Sequence, residues 1–159
     1  MYYNNLFSPI KIRGMEIRNR VEFPAMGTKM LNGSKYVTDQ LINYHVARAR
    51  GGNGINFTEV CSVYEKASPK NFLAISDDKY IPGLKKLADA IHEAGAKAGV
   101  QLWLGGSAVM FSGDTDVSVV LPSEFKVGDD YVIPGASIEV IKECIAAFGK
   151  AAKRAVQAG

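Results

Sequence analysis

Asn19-Arg20-Val21-Glu22-Phe23-Pro24-Ala25-Met26-Gly27-Thr28 begins as a short apolar strand and breaks at Pro24 into small residues. Proline has no N–H to give to a sheet ladder, so regular pairing stops there. Ala25 and Gly27 carry almost no side chain, which lets a flat ligand approach the backbone closely. The stretch therefore reads as the first strand of a parallel sheet, about 20–26, whose carboxyl end faces such a ligand.

Upstream, residues 6–18 read as a hairpin. Ile10 and Ile12, then Met15 and Ile17, alternate with charged residues on either side of Gly14, the period-two pattern of paired strands. A lone hairpin is marginal in water, so this one is expected to flank something larger. Downstream, Thr38 is placed to cap a helix, with Asp39 in its first turn. Leu41, Ile42, His45, Val46 and Ala49 share its apolar face, and Gly51-Gly52 ends it. His45 is expected to be a packed histidine rather than a ligand.

The plan then repeats. Gly54–Val60 reads as a second strand, 61–76 as a long loop, and about 80–94 as a helix with Pro82 in its first turn and Leu84, Leu87, Ala88 and Ile91 facing inward. His92 lies off that stripe and is expected in solvent. Ala98–Trp103 reads as a third strand. The loop after it, about 105–136, is long enough to carry function and has room for a short strand at Tyr131-Val132-Ile133. Ser137 caps a last helix, about 138–157, whose expected inner face is Ile138, Ile141, Ile145, Phe148, Ala152 and Val156.

This order predicts an α/β domain over 1–159, with a hairpin at 6–18 and three β-α units at about 20–52, 54–95 and 97–158. Function in parallel sheets gathers beyond the carboxyl ends of the strands. Here those ends are Pro24–Thr28, Glu59–Ser62 and Gln101–Ser107. The loops leaving them are long, whereas the returns Gly51–Gly54 and Gly95–Lys97 are short. Gln101 brings a donor and an acceptor together at one such end, as a ligand contact or as a satisfied core amide. Val60 is a lining or a core residue. Glu59 is a buried base or, in the favoured reading, a carboxylate paired at the strand end or facing the loops.

Composition narrows the function. Apolar content of 47% and charged content of 22% over 159 residues describe a globular protein with a real core. A net charge of +3, with the cations dispersed, argues against nucleic acid. No apolar run reaches the roughly 18 residues of a membrane helix. The amino terminus lacks the pattern of a secretion signal, which predicts a cytoplasmic protein. Cys61 and Cys144 show no metal-ligand spacing and are expected as free thiols.

Several of these segments fall into a familiar order. Leu6-Phe7-Ser8-Pro9-Ile10 with Asn19-Arg20-Val21, Tyr44-His45 before Ala47-Arg48-Ala49 and Gly51-Gly52, Gly95, and Val100-Gln101-Leu102-Trp103 before Gly105-Gly106 together resemble the amino-terminal part of the old yellow enzyme family. These are FMN-dependent NAD(P)H:flavin oxidoreductases, and the resemblance, over 6–159, is strongest to the branch of 2,4-dienoyl-CoA reductases, enoate reductases and bile-acid-inducible flavin oxidoreductases. It implies the first three units of a (β/α)8 TIM barrel, an incomplete barrel, since eight units need about 250 residues. It implies FMN lined by Pro24, Ala25, Met26, Gly27 and Thr28, with Val60 and Gln101 on the same rim. It further implies NADH or NADPH as reductant and a small unsaturated carbonyl or thioester as substrate.

The sequence also departs from the family. Leu104 and Ser107 stand where many relatives have His and Arg, and Gly27 stands where many have a small polar or thiol side chain that tunes the flavin. The family's His motif and Tyr proton donor belong to later strands, so no catalytic residue is assigned here. Two other expectations follow. One is a truncated or split-gene partial barrel that forms homo-oligomers or pairs with the missing part of the barrel. The other is a phosphate- or sugar-handling barrel without flavin.

Overall fold

A computed structural model describes residues 3–128 and 131–159. A helical turn, α1 (Asn4–Phe7), precedes an antiparallel hairpin of β1 (Ile10–Ile12) and β2 (Met15–Ile17). The hairpin is shorter than expected because its first residues coil into α1. It does flank something larger. Arg18 donates to the carbonyls of Ala49, at 2.6 Å, and Asn53, at 2.8 Å, and Asn19 donates to that of Gly52, at 2.7 Å. A guanidinium on the last carbonyls of a helix also complements the helix dipole.

Four parallel strands form the main sheet: β3 (Glu22–Phe23), β4 (Ile55–Ser62), β5 (Leu73–Ala74) and β6 (Lys97–Trp103). The first strand is only two residues long, because the chain leaves the ladder at Pro24. β6 pairs along one edge of β4, from Ile55↔Lys97 to Ser62↔Trp103. β3 and β5 share the other edge. β3 pairs as far as Phe23↔Asn56, and β5 enters at Cys61↔Leu73. Between these two points the β4 edge carries no strand, and the chain from Pro24 to Thr28 comes off β3 just below it.

The returning helices form where their caps and stripes dictate. α2 (Asp39–Arg50) starts at Thr38, whose hydroxyl accepts from the Leu41 N–H at 3.2 Å, and buries Leu41, Ile42, His45 and Ala49. α3 (Ile81–Glu93) buries Leu84, Leu87, Ala88 and Ile91 and ends at Gly95 with φ +90°. Leu87 and Ile91 are fully buried, each worth about 1.5–3 kcal/mol over exposure. His92 is exposed, with Nε2 accepting from the Ala98 N–H at 3.3 Å. The loop after β6 holds a 3-10 turn (Gly106–Phe111) and a second hairpin, β7 (Phe125–Val127) with β8 (Tyr131–Ile133), so the short strand expected at 131–133 forms. The tip of that loop, residues 129–130, lies outside the described residues.

α4 (Ile138–Gln157) has the expected bounds and the Ser137 cap, but it turns a different face inward. Cys144 and Ala151 are buried, whereas Ile138, Ile145, Phe148, Ala152 and Val156 are exposed. Small residues let this helix lie close to its neighbours, and the larger apolar stripe is left outward. Arg154 on this helix donates to Asp78 at 2.6 Å and to the Ile75 carbonyl at 3.4 Å.

Candidate functional site at the strand ends

The carboxyl ends of β3, β4 and β6 meet on one side of the sheet, opposite the hairpin. Their arrangement depends on a bulge in β4. Phe57 pairs with Gly99, but the next pair is Val60 with Gln101. Thr58 and Glu59 together oppose Val100, and the extra residue re-phases the strand. Val60 and Gln101 therefore stand level, and paired residues of neighbouring strands face the same way. Gly99 is required just below them, since a Cβ there would come within 2.5 Å of the Phe57 ring.

Pro24, Met26 and Gly27 are exposed, and Ala25 and Thr28 are half-buried. Among the described residues, the N–H groups of Ala25, Met26 and Gly27 donate to nothing within the chain. A Cβ at Gly27 would meet no atom within 4 Å, so the space there is open. The Gln101 side chain is exposed, and its amide has no partner among the described residues. Free backbone donors at one strand end and an unpartnered amide at another give this side of the sheet both donors and an acceptor for a polar ligand.

Thr28 behaves differently from its neighbours. Its N–H, at 2.6 Å, and its hydroxyl, at 2.9 Å, both donate to Glu59 Oε2. Its oxygen accepts from the Met30 N–H at 3.2 Å, and the Met30 carbonyl accepts from the Thr38 hydroxyl at 2.6 Å. The loop is thus strung from the β4 carboxylate to the cap of α2, and Thr28 has no donor left for a ligand. Glu59 is 1% exposed, and its Oε1 has no partner among the described residues. Burial raises its pKa above the ordinary glutamate value, while the two Thr28 bonds and the Lys29 charge pull the other way.

Sequence reasoning missed a stack beside this site. The Phe72 and Trp103 rings lie parallel, 5.1 Å apart at 8°, and Lys29 Nζ sits 4.9 Å from the Phe72 centroid. This joins the loops that leave β3 and β4 to the last residue of β6. Gly105 makes room for it, since a Cβ there would lie 2.4 Å from the Trp103 ring. Lys29 itself has φ +60°, a conformation that costs a non-glycine residue free energy. Residues this far apart in the chain leave no local signal of their contact.

Other candidates resolve as packing. His45 is fully buried against Asn56, with Nδ1 2.8 Å from Oδ1, and the Asn56 amide donates back to the His45 carbonyl at 3.0 Å. Burial lowers its pKa, against the Asn56 hydrogen bond, which raises it. Cys61 and Cys144 are buried free thiols, and burial raises the pKa of each. An apolar hollow of about 400 Å³ lies away from the strand ends, against Leu84, Ala88, Ala98, Val100 and Val156. Among the described residues no helix is long and apolar enough to cross a membrane.

A model of the NADH:flavin oxidoreductase / NADH oxidase family matches residues 5–159. A metal reductase of Desulforamulus reducens is 36% identical over 156 residues, covering 97% of this chain and 23% of that protein. An NADPH dehydrogenase of Listeria monocytogenes is 33% identical over 159 residues, covering 98% of this chain and 46% of that protein. Among solved structures, a 2-naphthoyl-CoA reductase in complex with 2-naphthoyl-CoA is similar, with a TM-score of 0.85 and 27% identity over 99% of this chain and 26% of that one. The chain thus spans less than half the length of each.

Proposed function

This chain belongs to the NADH:flavin oxidoreductase / NADH oxidase family, whose members use FMN, and from that premise we propose that it supplies one arc of the FMN site of an ene-reductase. Pro24–Gly27, Val60 and Gln101 are the lining. In this reading β3, β4 and β6 are the first three strands of a TIM barrel, β5 is an addition from the loop after β4, and the open side of the sheet is where the barrel would continue. The observation that carries it is the run of unpartnered N–H groups at Ala25, Met26 and Gly27 at the carboxyl end of β3, on the same side of the sheet as the level pair Val60 and Gln101.

FMN, when bound, carries the redox chemistry, taking hydride from NADH or NADPH and giving it to the activated C=C of an unsaturated carbonyl or thioester. What this chain does is hold and orient. The backbone of residues 24–27 supplies donors without side-chain bulk, and the Gln101 amide fixes the polar edge without adding a charge. No residue here is assigned the proton-donor role, because the family's Tyr donor belongs to later strands, and Leu104 and Ser107, in place of His and Arg, weaken the transfer of any particular substrate. The thioester substrate of the naphthoyl-CoA reductase supports that class. The test is reconstitution: purified chain mixed with FMN and passed over a desalting column should emerge yellow with quenched flavin fluorescence. Colourless protein overturns the reading.

A second reading is favoured by one observation, the exposed stripe Ile138, Ile145, Phe148 and Val156 on α4. Such a stripe is expected to be covered by another chain, either a further copy or a complementary part of a barrel. A native mass equal to one chain, across the micromolar range, would sink it.

A further inference from the structure

Glu59 is 1% exposed and sits in the bulge that sets the level of the lining residues. A buried carboxylate kept for stability alone is expected to have both oxygens satisfied. Here a single oxygen is engaged, and both of its bonds come from Thr28, the residue that ends the lining segment. On the far side of Thr28, Lys29 is held at φ +60° with its ammonium over Phe72. On the near side, a Cβ built on Gly27 would meet no atom within 4 Å. Nothing else within the described residues bonds the chain between Phe23 and Thr28 to the sheet. The free N–H groups of Ala25, Met26 and Gly27 therefore depend on their two ends for their position: β3 at one and Glu59 at the other.

We propose that Glu59 is a positioning residue for the cofactor: it latches Thr28 to the β4 bulge and so holds the preceding N–H groups as a fixed rim for FMN. This rests on the flavin reading above. Glu59 does not touch the ring. It acts by removing the freedom of a glycine-containing segment that would otherwise have to be ordered at the moment of binding, and ordering a loop weakens binding.

Three variants test this in the whole chain. Glu59→Leu removes the acceptor, Glu59→Gln keeps one, and Thr28→Val removes the hydroxyl bond while leaving the N–H bond. Two readouts are taken under conditions where urea titration shows each variant folded: hydrogen exchange of the Thr28 amide without FMN, and FMN affinity by fluorescence quenching. Glu59→Leu should speed exchange at Thr28 and weaken FMN binding, each by roughly tenfold or more, the loss expected for charge-assisted hydrogen bonds. Glu59→Gln should restore both to within about threefold, the scale of one ordinary hydrogen bond or less. Thr28→Val should fall between, and it carries the test if Glu59→Leu does not fold. A purely structural role would lower the urea midpoint without moving the affinity of folded protein. Glu59→Leu that frees the Thr28 amide yet binds FMN like the wild type overturns the role of Glu59 and leaves the flavin reading standing. Wild-type protein that takes up no FMN overturns both.

Discussion

Val60 and Gln101 are Cα partners across β4 and β6, and they stand level because β4 has one residue more than β6 just below them. The two side chains present a small apolar surface and an amide at one height. Gln101→Leu keeps the volume and removes the amide. The expected outcome is FMN affinity weakened by about tenfold, the worth of one or two neutral hydrogen bonds, with an unchanged urea midpoint because the side chain is exposed. A fluorescence titration of both proteins decides it, and equal dissociation constants would remove Gln101 from the site.

Gly99 fits closely under the Phe57 ring, just below the bulge. Gly99→Ala should destabilise the fold by about 1–3 kcal/mol through overpacking. In a Phe57→Leu background the same change should cost much less, since the colliding ring atoms are gone. Urea unfolding of the four proteins gives the coupling, and strict additivity would show that the two residues do not meet.

The pH dependence of Glu59 should run opposite to that of a salt-bridged carboxylate. Burial raises its folded-state pKa, so the carboxyl keeps its proton to a higher pH in the fold than in the unfolded chain. A group of this kind contributes stability below its unfolded pKa, about 4.3 for glutamate. That stability is lost as pH rises through the higher folded value. Wild-type protein should therefore lose stability relative to Glu59→Gln as pH climbs from about 4 toward neutrality. Urea midpoints at several pH values check the sign. A wild type that gains on the variant would mean that the Thr28 bonds and Lys29 outweigh burial.

The two faces of α4 should respond differently to substitution. Ala151 is fully buried, so Ala151→Leu is expected to cost about 1–3 kcal/mol. Ile145 is 67% exposed, and Ile145→Lys should change the stability of one chain by less than about 0.5 kcal/mol. If copies associate through the stripe, the same lysine should shift the native mass toward a single chain. Thermal melts and light scattering on the two variants separate these effects.

The order of elements was legible in the sequence because each boundary has a local chemical cause. Thr38 and Ser137 cap helices, Gly95 ends one, and Pro24 stops a strand. The inward faces of α2 and α3 followed from periodicity, since each helix has one apolar stripe. α4 has two candidate stripes, a large aliphatic one and a small one through Cys144 and Ala151, and the small one faces inward. Close approach to a neighbour decides that, and composition does not report it. The latch of Glu59 on Thr28 and the stack of Phe72 on Trp103 join residues more than thirty positions apart. Such contacts depend on register, and the bulge that fixes the register of β4 has no signature in a run as ordinary as Phe57-Thr58-Glu59-Val60.

Trp103 is the one tryptophan in the chain, and it is stacked on Phe72, which in turn lies under Lys29. Its indole is therefore an intrinsic optical reporter placed where the end of β6 meets the loops that leave β3 and β4. Emission from that single fluorophore needs no label and no second tryptophan to subtract. Its wavelength and anisotropy register any loosening of the stack. Energy transfer to a bound yellow chromophore would quench it, so occupancy and loop order can be followed together in one cuvette.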